Sequence, residues 1–297
     1  MSNSEDPRLG DIIRSASEDH LLEADVVIFG VPTDEGIIRN GGRPGAAQAP
    51  DEIRKYLHKL TPLFSGDHSL TSLAIVDMGN VEGRTLEEIH ANARQLTTKL
   101  VKADKTIIAL GGGHDITYPL AAGFLEGYGS HMKLVNVDAH LDVRPKKNGQ
   151  HHSGSSFRLL IEEGFLLGTN FIEFGIQPFC VSHEHVEWTR EQEISILSYD
   201  TLDHKAIARF GDLMKSAPQY VTFDIDSVRA ADAPGCSAPS PIGFSAYEAC
   251  QMARLAGKAG VRMFDIVEVS PPHDIDGRTS KLAARMIAYF LAGLTEH

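Results

Sequence analysis

The sequence is poor in cysteine, in basic residues and in long hydrophobic runs. It has 3 cysteines in 297 residues, Cys180, Cys236 and Cys250, without paired spacing, which argues against a disulfide framework and favours a reducing compartment. No apolar run approaches the roughly 18 residues that a membrane span requires. Residues 1–23 are polar and charged, unlike a secretory signal. We therefore expect a cytoplasmic protein.

The shortage of basic residues excludes another class of partner. Lys and Arg together number 28 against 40 Asp and Glu, which gives a formal net charge of -12. A chain this acidic is not expected to bind nucleic acid or an anionic membrane surface. It can still bind an anionic small substrate, because a local cluster of arginine or metal decides that.

What is present is ordinary globular composition, with 42% hydrophobic and 23% charged residues. Apolar runs of strand length alternate with segments of helix length, which predicts an α/β fold with a parallel sheet and helices on both faces. No low-complexity segment or Pro/Ser-rich linker divides the chain. We therefore expect a single domain over residues 1–297, with 1–23 as an N-terminal leader segment.

One glycine-rich segment interrupts this pattern, and we predict a loop over residues 36–45. The loop is either a flexible turn or a stretch of backbone that passes close to a ligand. In the second case Arg39, Asn40 and Arg43 are available as hydrogen-bond donors.

The most informative stretch is Asn136–Asp142, which follows a predicted strand over residues 133–137. Asp138, His140 and Asp142 occupy alternating positions, so on an extended chain they share one face and can converge on one point. Two carboxylates and an imidazole form a metal-ligand set. Alone, the same pattern is also compatible with the polar face of an edge strand.

Two other predicted strands end in residues of the same kind. The apolar run 106–110 leads into Gly-Gly-Gly-His114-Asp, and a later run ends in Phe-Asp224-Ile-Asp226. Ligands bind beyond the carboxyl ends of parallel strands, so the three sets should meet. Two imidazoles and four carboxylates are too oxygen-rich for one zinc and suit a pair of ions such as Mn²⁺. Such a pair can activate a water, which points to a hydrolase.

These motifs, together with Asp265–Pro271 (Asp-Ile-Val-Glu-Val-Ser-Pro), resemble in order and spacing those of the ureohydrolases, the family of arginase, agmatinase and formimidoylglutamase. The resemblance covers roughly residues 24–294. It implies a three-layer α/β/α sandwich on a parallel sheet and two Mn²⁺ ions per subunit. It also implies a homo-oligomer that acts on a small amidine or guanidine.

The resemblance also implies which residues bind the ions. One ion is expected on His114, Asp138, Asp142 and Asp224, and the other on Asp138, His140, Asp224 and Asp226, so that Asp138 and Asp224 bridge. Glu268 matches the acidic residue that binds the guanidinium or amidine end of the substrate. Its alternative role is that of a plain strand-end carboxylate.

The positions at which this sequence departs from the family pattern indicate which member of the family it resembles. Arginases and agmatinases carry a His-Gly pair after the metal strand, whose histidine is a proposed proton shuttle, whereas this chain has Ser153-Gly154. Ser153-Gly154 and the Gly-Gly-Gly-His-Asp run are both similar to formimidoylglutamases. The proton donor is left open: His151 and His152 could replace the missing histidine, or they are solvated loop residues.

Arg144 is a further residue that bears on the identity of the substrate. Its guanidinium suits a substrate carboxylate, although it could equally be a solvated loop arginine. Our hypothesis is hydrolysis of N-formimino-L-glutamate to L-glutamate and formamide, as in histidine degradation, with Arg144, Ser153 and Gly154 at the substrate. One alternative is an agmatinase or guanidinobutyrase that releases urea. Another is a non-catalytic metal-binding assembly or regulatory protein. Manganese and iron both fit the ligands.

Overall fold

The computed structural model describes residues 6–65, 68–129, 132–202 and 204–296, which surround a nine-stranded sheet. Within these residues the strands are β1 (Arg14–Ser15), β2 (Val26–Gly30), β3 (Leu63–Ser65), β4 (His68–Ser69), β5 (Ile75–Asn80), β6 (Thr106–Leu110), β7 (Leu134–Val137), β8 (Phe171–Ile176), β9 (Ser195–Ser198), β10 (Tyr220–Asp224) and β11 (Met263–Val267). Strands β3 and β4 form a separate antiparallel pair. The others lie in the order β1-β5-β2-β6-β11-β10-β7-β8-β9, and every neighbouring pair is parallel.

Helices connect the strands and cover both faces of the sheet. In the same described residues they are α1 (Leu9–Ile12), α2 (Glu18–Glu23), α3 (Glu35–Asn40), α4 (Ala49–Leu57), α5 (Leu86–Lys102), α6 (Thr117–Tyr128), α7 (Ser156–Glu162), α8 (His183–Glu191), α9 (Ala206–Met214), α10 (Ala246–Lys258) and α11 (Arg278–Leu294). Helices α4, α9, α10 and α11 pack on one face, and α5, α6 and α7 pack on the other. The predicted α/β fold with its parallel sheet is confirmed.

Strand β2 is apolar on both sides because each face of the sheet is covered. In β2, Val26 and Ile28 belong to the core under α4 and α11, whereas Val27 and Phe29 belong to the core under α5 and α6. Strand side chains alternate between faces, so a continuous apolar run fills two cores at once. This double burial explains why the runs read as strands in the sequence.

The predicted loop over 36–45 is partly wrong, because residues Glu35–Asn40 form helix α3. Gly36 is tolerated in the helix because a Cβ there would lie 2.1 Å from the Asp115 carboxylate, so the position requires a residue without one. The helix ends at Gly41, whose φ of 87° is the left-handed conformation that glycine adopts at helix ends. The loop proper is therefore shorter than predicted.

The described part of the predicted leader packs against the rest of the chain. Leu9 is fully buried in the core that also contains α4 and α11. Residues Arg14 and Ser15 pair with Val76 and Asp77 of β5 and form one edge of the sheet. In the part of the chain that the structure describes, no helix is long and apolar enough to cross a membrane.

Candidate metal centre

Four neighbouring strands in the middle of the sheet, β6, β11, β10 and β7, end side by side. His114 follows β6, and Glu268 follows β11. Asp224 ends β10, and Asp138 follows β7. These strands are far apart in the sequence, and only their order in the sheet brings the predicted residues to one edge.

The glycine run after β6 places His114 at this edge. A Cβ on Gly112 would lie 1.9 Å from the carbonyl oxygen of Thr33, so only glycine permits this approach of the two backbones. The adjacent Gly113 N–H donates to the same Thr33 oxygen at 3.0 Å. The backbone N–H of His114 then donates to Glu268 Oε1 at 2.8 Å, which links the ends of β6 and β11.

One group of side chains surrounds the Nδ1 atom of His114. This atom lies 3.2 Å from Asp138 Oδ2, 3.1 Å from Asp142 Oδ2 and 3.2 Å from Asp224 Oδ2. Their ligand atoms all lie within 4.8 Å of one another. We call this set the His114 position, and its histidine is fully buried.

A second group, which we call the His140 position, uses the other oxygen of Asp138. His140 Nδ1 lies 3.5 Å from Asp138 Oδ1 and 3.2 Å from Asp226 Oδ2. The side chain of His140 is 26% exposed, so this position faces solvent. Asp224 Oδ1 accepts a hydrogen bond from the Asp226 N–H at 2.8 Å. The bridging role expected for Asp224 stays a prediction.

The charges in this centre are unbalanced without a cation. Burial, followed by the nearby carboxylates, raises the pKa of Asp224 well above its usual range and also raises the pKa of Asp226. Asp226 also raises the pKa of His140. Burial alone would lower the pKa of His114, but the three carboxylates around Nδ1 raise it well above its usual range. The histidines therefore bind protons where ions would otherwise balance the carboxylates.

Two buried atoms show that the residues fit a metal. Within the described residues, His114 Nδ1 and Asp226 Oδ1 are buried without a hydrogen-bond partner. A buried polar atom without a hydrogen-bond partner lowers the stability of the fold. In both residues the other polar side-chain atom does have a partner. Imidazole nitrogen and carboxylate oxygen together suit a divalent ion of the manganese type.

Glu268 lies beside these groups rather than within them. Its φ of 65° is a left-handed conformation, and Asp142 has a φ of 47°. Backbone of this kind recurs at functional sites, although other residues of this chain also adopt it. Burial raises the pKa of Glu268 to about 8, and the Asp226 carboxylate adds to the shift. A cation bound next to Glu268 would therefore stabilise its charged form.

The three residues predicted to contact the substrate lie together, and Asn40 joins them. Arg144 donates through its guanidinium to Asn40 Oδ1 at 3.0 Å, and Asn40 Nδ2 donates to Ser153 Oγ at 3.1 Å. The Arg144 N–H donates to the Gly154 carbonyl at 2.8 Å. Asn40 was expected as a loop donor and is the last residue of α3. Nothing in its local sequence indicates this bridging contact.

His151 and His152 are not the solvated loop residues that one interpretation suggested. His152 is buried, with Nδ1 accepting from the Gly154 N–H at 3.2 Å and Nε2 bonded to the Pro145 carbonyl at 3.0 Å. Nε2 keeps its proton for the Pro145 carbonyl and Nδ1 accepts from Gly154, so neither nitrogen is free to shuttle a proton. His151 packs on Tyr118 and His90, and burial lowers its pKa well below the usual range.

Comparisons with known proteins place these residues in a known context. The arginase family model matches residues 24–293. Human mitochondrial guanidino acid hydrolase is 31% identical over 280 residues, which cover 91% of this chain and 78% of that protein. Formimidoylglutamase of Streptococcus pyogenes is 30% identical over 286 residues, which cover 91% and 85%. The crystal structure of Trypanosoma cruzi formiminoglutamase with two Mn²⁺ ions has a TM-score of 0.91 at 32% identity and covers 97% and 98%.

Proposed function

The chain belongs to the arginase family, and from this premise we propose that it is a manganese-dependent amidinohydrolase that converts N-formimino-L-glutamate and water to L-glutamate and formamide. The observation that carries the proposal is the division of Asp138, whose two oxygens face two separate groups of ligands. A single carboxylate with one oxygen at each of two cation positions can bridge the two ions of a binuclear centre.

We assign the ligands as the sequence predicts. The six residues at the strand ends bind two Mn²⁺ ions, with Asp138 shared between them: His114, Asp138, His140, Asp142, Asp224 and Asp226. Support comes from Trypanosoma cruzi formiminoglutamase, whose structure contains two Mn²⁺ ions. When bound, such a pair supplies a nucleophile by lowering the pKa of a water molecule.

Glu268 binds the cationic amidine end of the substrate in this proposal. One of its oxygens is already fixed by the His114 N–H at 2.8 Å, so the side chain cannot rotate freely. The other oxygen is left to pair with an amidinium N–H. Because burial raises the pKa of Glu268 to about 8, an incoming amidinium would hold it in the charged form and gain a charge-assisted hydrogen bond.

Arg144 binds a carboxylate at the far end of the substrate, and Ser153 and Gly154 shape the same region. Asn40 orients Arg144 through one guanidinium nitrogen, which leaves its other donors for an anion. The substrate therefore needs both an amidine and a carboxylate. Formiminoglutamate meets this requirement and agmatine does not.

A guanidino acid that releases urea is the second candidate. It too carries a carboxylate for Arg144, and the human guanidino acid hydrolase matches 91% of this chain. What favours formiminoglutamate is the Ser153-Gly154 pair, which replaces the His-Gly pair of arginases and agmatinases. The two candidates share the metal centre and differ in product.

Product identification separates them. Protein loaded with Mn²⁺ is offered formiminoglutamate, guanidinobutyrate, agmatine and arginine, and products are identified by NMR. We expect formamide and glutamate from the first substrate alone. Urea from guanidinobutyrate or arginine would transfer the proposal to the second candidate, and urea from agmatine would remove the carboxylate requirement. Bound metal without turnover of any of them would favour the non-catalytic alternative.

Arg144→Ala then tests the carboxylate contact. Loss of a charge-assisted hydrogen bond should raise KM for formiminoglutamate by about ten- to hundredfold with kcat nearly unchanged. The matched control is Arg190→Ala, which removes an exposed arginine paired with Glu187 on α8. An unchanged KM in Arg144→Ala would remove this residue from the substrate site.

A further inference from the structure

A row of polar side chains crosses the centre of the sheet, where parallel strands are normally apolar. Its members share one level of the sheet and are all fully buried, and we call them the polar row: Asp265 (β11), Thr222 (β10), Asn136 (β7) and Glu173 (β8). Register pairs join each to the next, Asp265 with Thr222, Thr222 with Asn136, and Asn136 with Glu173. Burial of polar groups is unfavourable unless they form hydrogen bonds, so we expect a buried row of them to have a function.

The polar row lies directly beneath the proposed metal ligands. Asn136 precedes Asp138 by two residues, and Thr222 precedes Asp224 by two. Side chains two apart on a strand share a face, so the row and the ligands form successive layers on the same side of the sheet. It is therefore placed to support the ligands from below.

One branch of the row ends on His114. His114 Nε2 lies 3.1 Å from Thr222 Oγ1, which lies 3.2 Å from Thr117 Oγ1. The Thr117 hydroxyl donates to Asp265 Oδ2 at 3.4 Å, and the Tyr220 hydroxyl donates to the same oxygen. Asp265 Oδ2 thus accepts from two hydroxyls and is the acceptor at the end of this branch.

An acceptor at one end sets the direction of every bond in this branch. Each threonine hydroxyl has a single proton to donate. If Thr117 donates to Asp265, its oxygen accepts from Thr222, and the Thr222 oxygen accepts from His114. His114 therefore donates through Nε2, and an ion at the His114 position would take the place of the proton on Nδ1.

The other branch ends on Asp138. Asn136 Nδ2 donates to Glu173 Oε2 at 2.9 Å and to Asp138 Oδ2 at 3.2 Å. Asp138 Oδ2 is the oxygen that faces His114. Both branches thus end on ligand atoms of the same position. Within the described residues, the side-chain contacts of His140 are with Asp138 and Asp226, and none reaches the row.

We propose that the polar row positions the ligands of the His114 position selectively, with Asp265 fixing the proton of His114 through Thr117 and Thr222. Its members are positioning residues, because none of them touches the substrate or an ion. The inference rests on the proposed metal centre and adds that the two ion positions depend on different parts of the protein.

The test removes one link of the row. Thr222→Val has nearly the same shape but offers no acceptor to His114 Nε2. We expect a roughly ten- to hundredfold loss of Mn²⁺ affinity at one of two positions, the size seen when a partner of a metal-bound histidine is removed. After removal of free metal, elemental analysis should find one ion per chain. Electron paramagnetic resonance should show the six-line signal of isolated Mn²⁺ in place of a coupled pair.

Three further variants test this result. Thr222→Ser keeps the hydroxyl and should retain both ions. Thr97→Val is the matched control, because Thr97 is a fully buried threonine whose hydroxyl donates to the Ala93 carbonyl in α5. It should bind Mn²⁺ as the unaltered protein does. Asp265→Leu, which removes the terminal acceptor, should repeat the effect of Thr222→Val.

A double variant shows which position is affected. With His140→Ala only the His114 position remains, and addition of Thr222→Val should then lower the remaining Mn²⁺ affinity by the same ten- to hundredfold. Undiminished affinity in Thr222→Val, or an equal loss at both positions, would overturn the inference. An unaltered protein that binds no ion pair would instead overturn the proposed metal centre. If Asp265→Leu does not fold, the Val and Ser variants of Thr222 decide the matter.

Discussion

The His114 position and the His140 position share Asp138 but are built differently. His114 is fully buried, and both its backbone N–H and its Nε2 are bonded, to Glu268 and Thr222. His140 is 26% exposed, and its ring lies against the Asp138 and Asp226 carboxylates. One half of the centre is thus part of the framework of the sheet, and the other half is open to solvent.

The largest effect is expected from a change in Asp138, the residue that the two positions share. Asp138→Asn takes the negative charge from both at once and should abolish binding of both ions. Since the ions provide several kcal/mol of transition-state stabilisation, activity should fall by about three orders of magnitude or more. Elemental analysis and steady-state rates check this. Retention of one tightly bound ion would show that the positions are independent.

Substitution of each histidine in turn compares the two positions directly. His114→Ala and His140→Ala should each leave one ion and each lower activity by about a hundredfold or more, since both ions are needed. Their effects on folding should differ. In metal-free protein His114→Ala leaves Thr222 without its donor and opens a buried cavity, for a loss of about 2–3 kcal/mol.

His140→Ala should cost only about 1 kcal/mol, since that side chain is partly exposed. Urea unfolding of the two variants in chelator measures both free energies. Equal losses of stability would contradict the division into a framework half and an open half.

The smallest expected effect is the pH dependence of stabilisation by Mn²⁺. Burial raises the pKa of Asp224, Asp226 and Glu268, and the neighbouring carboxylates raise the pKa of His114 and His140. Each raised pKa contributes stability at low pH that is lost as pH rises through the folded value. Metal-free protein should therefore lose stability between pH 6 and 8.5.

Because Mn²⁺ competes with these protons, its stabilising effect should grow over the same range. We expect the rise in Tm on adding Mn²⁺ to be about 5 °C larger at pH 8.5 than at pH 6. Differential scanning fluorimetry measures both values. Asp138→Asn serves as the control and should show no such growth, and a constant Mn²⁺ effect in the unaltered protein would refute the assignment.

The sequence predicted those elements whose formation depends on the local pattern of residues. The apolar run 106–110 coincides with strand β6, because burial on both faces requires a continuous run of this kind. Helix α3 was missed because glycine is a poor helix former and the contact of Gly36 with Asp115 is not visible in the chain. Local pattern therefore predicted strands better than it predicted this short helix.

The site was predicted as far as its residues lie at strand ends. The supporting residues were not, although a signal existed: Thr222 and Asp265 interrupt apolar strands with polar groups. Interpretation of that signal needs the order of β11, β10, β7 and β8, which differs from their order in the chain. The link from Arg144 through Asn40 to Ser153 likewise depends on how separate loops meet.

The edge strand β1 has a consequence for behaviour at high concentration. It contributes only two residues, Arg14 and Ser15, and both are exposed. A sheet of this width presents its free backbone groups along its edges, where another molecule could add a strand. An edge of two residues, one of them charged, offers an incoming chain few hydrogen bonds and unfavourable desolvation. The short strand β1 thereby makes this edge of the sheet a poor template for intermolecular pairing.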